Sequence, residues 1–250
     1  MFARIPRVPG CFGIIRAMDN ADHCVADART RGAAAGTVLV TGGTVRLGLA
    51  VSARLRACGW RVLTSSHRPD AGADIVADLA VPLGAARLYS AACELLGGRP
   101  PDALVNNAAL FSGDEALLEA VNHAAPCKLT MMMAGREEGR GAVVNVLDCR
   151  VLSGDGALME SAYARTKRRL LEYTLSSAAM FADTLRVNAV APGPVMPPVA
   201  AGEPAGETPL GRPSADDVAD AVAFLLAAGS TSGCVIPVDG GQHLIHTAWG

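Results

Sequence analysis

The 250-residue sequence has no excess of charge of either sign: 22 Lys and Arg stand against 24 Asp and Glu, a formal net charge of -2. Nucleic-acid binders usually carry a basic excess or a basic stripe, so this balance argues against that class. Charge is also scarce, at 18% of residues, while half of the chain is hydrophobic. That combination does not suit a disordered polypeptide; it suits a globular protein with a sizeable core. Long apolar runs are missing too. Arg, Asp, Glu, Gly or Pro interrupts each run before the roughly 18 residues that a membrane-spanning helix needs, so neither a span nor a membrane partner is expected, and the protein is expected in the cytoplasm. Metal and disulfide patterns are equally absent. The cysteines fall at 11, 24, 58, 93, 127, 149 and 234, never as Cys-x-x-Cys. They read as small buried hydrophobes in a reducing compartment. His243 and His246 form a lone His-x-x-His with no nearby Cys or carboxylate to complete a shell, and no metal is expected.

Residues 1–36 differ in character from the rest of the chain. Met1 to Met18 carries three arginines and no acid, and Asp19 to Gly36 is polar, rich in Ala and Gly, and without clear periodicity. A flexible extension, an organelle-targeting segment and a translation start at Met18 all fit this stretch. The remainder, 37–250, reads as one domain.

From Thr37 onward, short β-branched or apolar runs alternate with helical patterns. The runs are Thr37 to Thr41, Arg61 to Thr64, Asp74 to Ala77, Ala103 to Val105, Ala142 to Val146, Leu185 to Val190 and Cys234 to Val238. Between them, Leu47 to Cys58, Ala85 to Leu96, Ala116 to Met133, Ala162 to Phe181 and Ala215 to Leu226 space their apolar residues by three and four. This alternation predicts a Rossmann-type, doubly wound parallel sheet in a three-layer α/β/α sandwich with right-handed crossovers. In such sheets ligands bind beyond the carboxyl ends of the strands, so chemistry is sought just after each one.

The first strand runs into Thr41-Gly42-Gly43-Thr44-Val45-Arg46-Leu47-Gly48, directly before a helix. Glycines in such a turn let the backbone approach a pyrophosphate, and the helix N-terminus supplies N–H groups and a positive dipole end. After the second strand, where an NAD enzyme places an acid for the ribose 2'-hydroxyl, the chain reads Ser65-Ser66-His67-Arg68, with no acid until Asp70. Hydroxyl, imidazole and guanidinium suit a 2'-phosphate, which points to NADP(H). Tyr163 and Lys167 lie i, i+4 on one helix face, so phenol and ammonium can enter one site. A lysine beside a tyrosine is expected to lower the phenol pKa toward neutrality.

The ordered set Thr41-Gly42 to Gly48, Asp78-Leu79, Asn106-Asn107-Ala108, Asn122, Tyr163-x-x-x-Lys167, Pro192-Gly193 and Val238-Asp239-Gly240-Gly241 resembles the short-chain dehydrogenase/reductase family over residues 37–242. Pro209-Leu210-Gly211-Arg212, Asp217-Val218-Ala219 and Phe224-Leu225 resemble its C-terminal segment. Four features, the first two of them departures from the common family pattern, resemble the pteridine reductase branch, which reduces dihydropterins and dihydrofolates with NADPH. Arg46 replaces a turn glycine, Asp148 replaces the usual serine after the fifth strand, His67-Arg68 follows the second strand, and Phe111 stands four residues after Asn107.

The resemblance implies roles. Gly42, Arg46, Leu47 and Gly48 would meet the pyrophosphate, Ser66, His67 and Arg68 the 2'-phosphate, and Asp78 with Leu79 the adenine. Asn107, Ala108 and Ala109 would line the nicotinamide ribose, and Pro192-Gly193 the nicotinamide face. Tyr163 would donate the proton, Lys167 would hold the ribose, and Asn122 would hold a relay water. Phe111, Arg46, Asp148 and Tyr163 would face the substrate. An ionised Asp148 only accepts hydrogen bonds, so it suits a substrate with N–H donors, such as a pterin, better than a developing ketone oxyanion. Against this, the segment 110–121 is short, and the stretch from Pro194 through Ala205 lacks an obvious pterin-reading residue. A ketone reductase of the 3-oxoacyl type is the alternative, and a catalytically weak NADP-binding regulator is a third reading. The family also implies a homodimer or homotetramer.

Overall fold

The computed structural model describes residues 36–137, 139–153, 161–195 and 208–245. The N-terminal 35 residues, His246 and positions 196–205 of the substrate stretch lie outside them. Seven strands form one sheet: β1 (Thr37–Thr41), β2 (Arg61–Ser66), β3 (Ile75–Val76), β4 (Ala103–Asn106), β5 (Gly141–Val146), β6 (Leu185–Pro192) and β7 (Val235–Val238). All pairings are parallel, in the order β3-β2-β1-β4-β5-β6-β7. The direction of winding reverses between β1 and β4, which opens a crevice at the carboxyl edge beside the glycine turn.

Successive strand side chains point to opposite faces, and here both faces are apolar. Val38, Val40, Ala103, Val105, Val144 and Val146 meet helices α1 (Arg46–Ala57) and α6 (Ala215–Ala227) through Val51, Leu55, Val218, Val222 and Leu225. Leu39, Leu104 and Val143 point the other way, to α2 (Gly84–Leu95) and α4 (Ala125–Ala134) through Leu88, Ala92, Leu129 and Met133. Burying each such Val, Leu or Met side chain contributes about 1.5–3 kcal/mol. Helix α5 (Ala162–Met180) packs Leu170 and Leu171 against Ala189 and Ala191 of β6.

The strands and helices fall where periodicity places them, with two instructive differences. Strand β2 continues through Ser66, because Ser65 and Ser66 pair with Ile75 and Val76. The single helix expected over Ala116 to Met133 is three pieces: α3 (Glu115–Glu119), a π-helical turn Ala120–Ala124, and α4. Pro126 has no N–H to continue the ladder, and Asn122 turns its amide onto neighbouring backbone, so the widened turn sits at a candidate functional residue. Among the described residues no helix is long and apolar enough to cross a membrane.

Candidate active site

At the end of β1, Gly42 adopts φ +62, and a Cβ on Gly48 would lie 2.0 Å from the Gly42 carbonyl oxygen. Only glycine lets helix α1 start this close to the strand. Val45, the N-cap of α1, makes no side-chain cap, and the first turn carries no acid. Its amides and dipole end are therefore arranged for an external anion. Arg46, the first residue of the helix, has φ +50, a strained conformation for a side chain of this size.

Asn107 anchors the glycine turn. Its Nδ2 donates to the carbonyls of Thr41 (3.0 Å) and Gly42 (3.1 Å), while Thr41 Oγ1 accepts from the N–H groups of Asn107 and Ala108, both at 3.0 Å. The loop after β4, through Ala109, is thus tied to the glycine turn. Thr41 opens the glycine motif in the sequence, but its role as the acceptor that ties the two loops appears only in the fold.

Ser66, His67 and Arg68 do emerge together at the carboxyl end of β2, and His67 and Arg68 are exposed. Arg68 is not alone there. Its Nη2 and Nε donate to Asp70 at 2.9 and 3.2 Å, and Ser66 Oγ accepts from the Arg68 N–H. Hydrogen bonding and charge from Arg68 pull the Asp70 carboxyl below its usual range. Asp78 accepts from the Ala80 N–H at 2.8 Å, and Leu79 lies half-buried beside it. Pro192 ends β6, and Gly193 donates to the Val238 carbonyl.

The reactive cluster forms where α5 passes the end of β5. Ser161 caps α5 through Ala164 N–H, which sets the helix phase so that Tyr163 and Lys167, one turn apart, both point inward and are 6% and 2% exposed. The Tyr163 hydroxyl donates to Asp148 Oδ2 at 3.2 Å. Lys167 Nζ donates to the Val146 carbonyl at 2.7 Å and stands 5.9 Å from the Tyr163 ring centre. The Phe111 ring stacks on Tyr163 at 4.8 Å and remains 61% exposed. Asn122 is fully buried and pairs with both backbone groups of Leu110 at 2.8 Å, with a further bond to Thr166 Oγ1. It holds the loop that carries Phe111.

The expected lowering of the Tyr163 pKa is corrected by the structure. Burial first, and the Asp148 carboxylate second, push it well above its usual value. The ammonium that was to lower it is spent on the Val146 carbonyl. Burial also brings Lys167 down to about 8, against the opposing pull of Asp148. The neighbouring Cys149 thiol is driven up to about 12, chiefly by burial and then by Asp148 and Asp239, so it stays neutral and unreactive. Among the described residues no cluster of His, Cys, Asp and Glu is arranged to hold a metal; His243 instead pairs with the buried Asp239 at 2.7 Å. Sequence reasoning missed Arg150, which grips Asp148 from within the short 3-10 turn Cys149–Leu152.

A doubly wound parallel sheet, a glycine turn at its switch point and a buried Tyr-Lys pair beyond the carboxyl edge define a Rossmann-type oxidoreductase. The comparisons narrow the class. Residues 101–243 match the family model described as enoyl-(acyl carrier protein) reductase. A putative ketoacyl reductase of the granaticin polyketide synthase from Streptomyces violaceoruber is 34% identical over 249 residues, 83% of this chain and 96% of that protein. The cis-4-hydroxycyclohexanecarboxylate dehydrogenase of Sinomonas cyclohexanicum is 39% identical over 114 residues, and the match spans only 45% of that relative's length. FolM alternative dihydrofolate reductase 1 from Brucella canis, solved in complex with NADP, superposes with a TM-score of 0.72 at 30% identity, covering 84% of this chain and 95% of that one. The chain belongs to the short-chain dehydrogenase/reductase family.

Proposed function

We propose that this protein is an NADPH-dependent reductase acting on the C=N bond of a pterin-like substrate. The observation that carries the reading is the Asp148 carboxylate in contact with the Tyr163 hydroxyl, where a ketone reductase needs a donor. The residues fit the cofactor. Gly42 and Gly48, where a Cβ would strike neighbouring backbone and the Asn107 amide, keep the turn with Arg46 and Leu47 tight against an uncapped helix end that can take the pyrophosphate. Ser66, His67 and Arg68 would take the 2'-phosphate, Arg68 exchanging Asp70 for it, and Asp78 and Leu79 would border the adenine. Ala108 and Ala109 would line the nicotinamide ribose beside Asn107, with Lys167 as its hydrogen-bond donor. Pro192 and Gly193 would back the nicotinamide. NADPH, when bound, supplies the hydride.

The chain's own residues then do the rest. Asp148 accepts an N–H of the substrate and holds its ring in place. Tyr163, kept protonated by its surroundings, passes its hydroxyl proton to the ring nitrogen as the carbon receives hydride, and recovers a proton from solvent. Asn122 holds the Leu110 backbone and, with it, the loop of Phe111, and would hold a water of the proton relay. Phe111 would leave the Tyr163 ring and cover the substrate instead. The work is orientation and proton delivery, with the demanding step left to the cofactor.

Reduction of a 3-oxoacyl ketone is the second reading, favoured by the 34% identity to a putative ketoacyl reductase. One experiment separates the two. NADPH absorbance is followed with dihydrobiopterin, dihydrofolate and a 3-oxoacyl thioester, for the natural protein and Asp148→Ser. Turnover of a dihydropterin that collapses in the variant is expected. Turnover of the thioester alone, retained in Asp148→Ser, would refute the pterin reading. A homodimer or homotetramer in the cytoplasm accompanies the proposal, and sizing in solution tests the assembly.

A further inference from the structure

Asp148 receives four hydrogen-bond donors, and three of them come from one residue. Oδ1 accepts from the Arg150 backbone N–H and from Arg150 Nε, each at 3.0 Å. Oδ2 accepts from Arg150 Nη2 at 3.1 Å and from the Tyr163 hydroxyl at 3.2 Å. An ionised carboxylate has about four acceptor positions in all. Arg150 fills three, and Tyr163 holds the fourth.

We infer that Arg150 is a positioning residue that presents Asp148 to the substrate as an acceptor with a single open place, the one on Oδ2 that Tyr163 holds at rest. A substrate N–H that enters this place displaces the Tyr163 hydroxyl. The phenol proton is then turned toward the substrate atom that has to receive it. Binding and proton delivery are coupled through one lone pair, and the fork of Arg150 is what leaves only one available. A lysine could supply charge here but not the planar pair of N–H groups.

The surroundings agree with this division of labour. The Arg150 side chain is 36% exposed and that of Asp148 13%, so the pair is partly shielded from solvent. The Arg150 guanidinium also lies 5.4 Å from the Tyr163 ring centre, and so touches both partners of the bond it governs. The charged or titratable groups around Asp148 are Arg150 and Cys149 on its own segment and Tyr163 and Lys167 on α5. The Asp239-His243 pair faces Cys149 from the end of β7.

The inference rests on the proposed reduction, but the hold of Arg150 on Asp148 does not stand or fall with the substrate. Arg150→Gln and Arg150→Lys are compared with the natural protein on whichever of the dihydropterin or the 3-oxoacyl thioester it reduces. Loss of positioning is expected to lower kcat of Arg150→Gln by about 10- to 100-fold with a smaller change in KM. Arg150→Lys keeps the charge without the planar fork and should restore little of kcat. An unchanged kcat in Arg150→Gln, or full rescue of kcat by Arg150→Lys, would overturn the inference. Turnover of the thioester alone sinks the pterin reading and the substrate N–H step with it, while the hold of Arg150 on Asp148 is tested separately by exchange. A second readout needs no turnover and no folded Arg150 variant. The Arg150 Nε–H resonance of the natural protein should exchange slowly with solvent and lose that protection in Asp148→Asn. Rapid exchange in the natural protein would also overturn the inference.

Discussion

Lys167 offers a quantitative test of the buried site, because its charge is held where the fold disfavours it. Its amine falls from 10.5 to about 8 on burial. The unfolded chain therefore binds the proton more tightly than the folded one. At 1.36 kcal/mol per tenfold change, this difference destabilises the folded state by about 3 kcal/mol at pH 7. The penalty is present in full below pH 8 and fades toward pH 10.5, so this residue's contribution makes the protein more stable as pH rises. Tyr163, Cys127 and Cys149 act with the opposite sign at higher pH, since their folded-state values are raised and their contribution is lost as the solution becomes more alkaline. A comparison of the natural protein with Lys167→Met cancels those groups and leaves the lysine. Removing the ammonium also leaves the Val146 carbonyl without its donor, at a cost of about 1–3 kcal/mol. The two effects nearly offset at pH 7, while activity is lost. The informative quantity is the change with pH. Between pH 7 and 9 the stability of Lys167→Met relative to the natural protein should decline by about 1 kcal/mol, or about 2–4 °C in relative Tm. Urea titrations and thermal melts at pH 6, 7, 8 and 9 would measure it. A difference that does not vary with pH would refute the claim that this lysine is buried at the expense of its charge.

Two further predictions concern other parts of the molecule. Arg186 reaches from β6 to the end of α6, where its guanidinium donates to the carbonyls of Leu225 (2.9 Å), Leu226 (2.9 Å) and Thr231 (3.1 Å). Arg186→Met leaves those acceptors unpaired and should destabilise the protein by about 2–4 kcal/mol in urea unfolding; a change below 1 kcal/mol would show that water replaces the guanidinium. Asp70→Asn releases Arg68 from its present partner, so NADPH affinity measured by fluorescence should rise severalfold while NADH affinity stays level. The gain should shrink with added salt, and equal gains for both cofactors would argue that Arg68 does not read the 2'-phosphate.

Much of the architecture was legible in the chain. Alternating apolar residues such as Val38, Leu39 and Val40 must face both sides of a buried strand, and spacing by three and four makes the intervening helices. Strand-helix alternation of that length leaves few arrangements besides a parallel sheet. The glycine turn could be read as well, because the close approach of Gly48 to Gly42 tolerates no side chain. Tyr163 and Lys167 shared a helix face by spacing alone. What the sequence could not declare was the choice of partner for each polar group. Tertiary packing gave Lys167 to the Val146 carbonyl, Asn107 to the glycine turn and Arg68 to Asp70. It split one periodic helix at Asn122 and Pro126, and it raised a phenol pKa that proximity in sequence suggested would fall. Backbone periodicity is a local property, set by residues a few positions apart. Hydrogen-bond partners and pKa shifts depend on burial and on groups brought together from distant elements, and those exist only once the chain has folded.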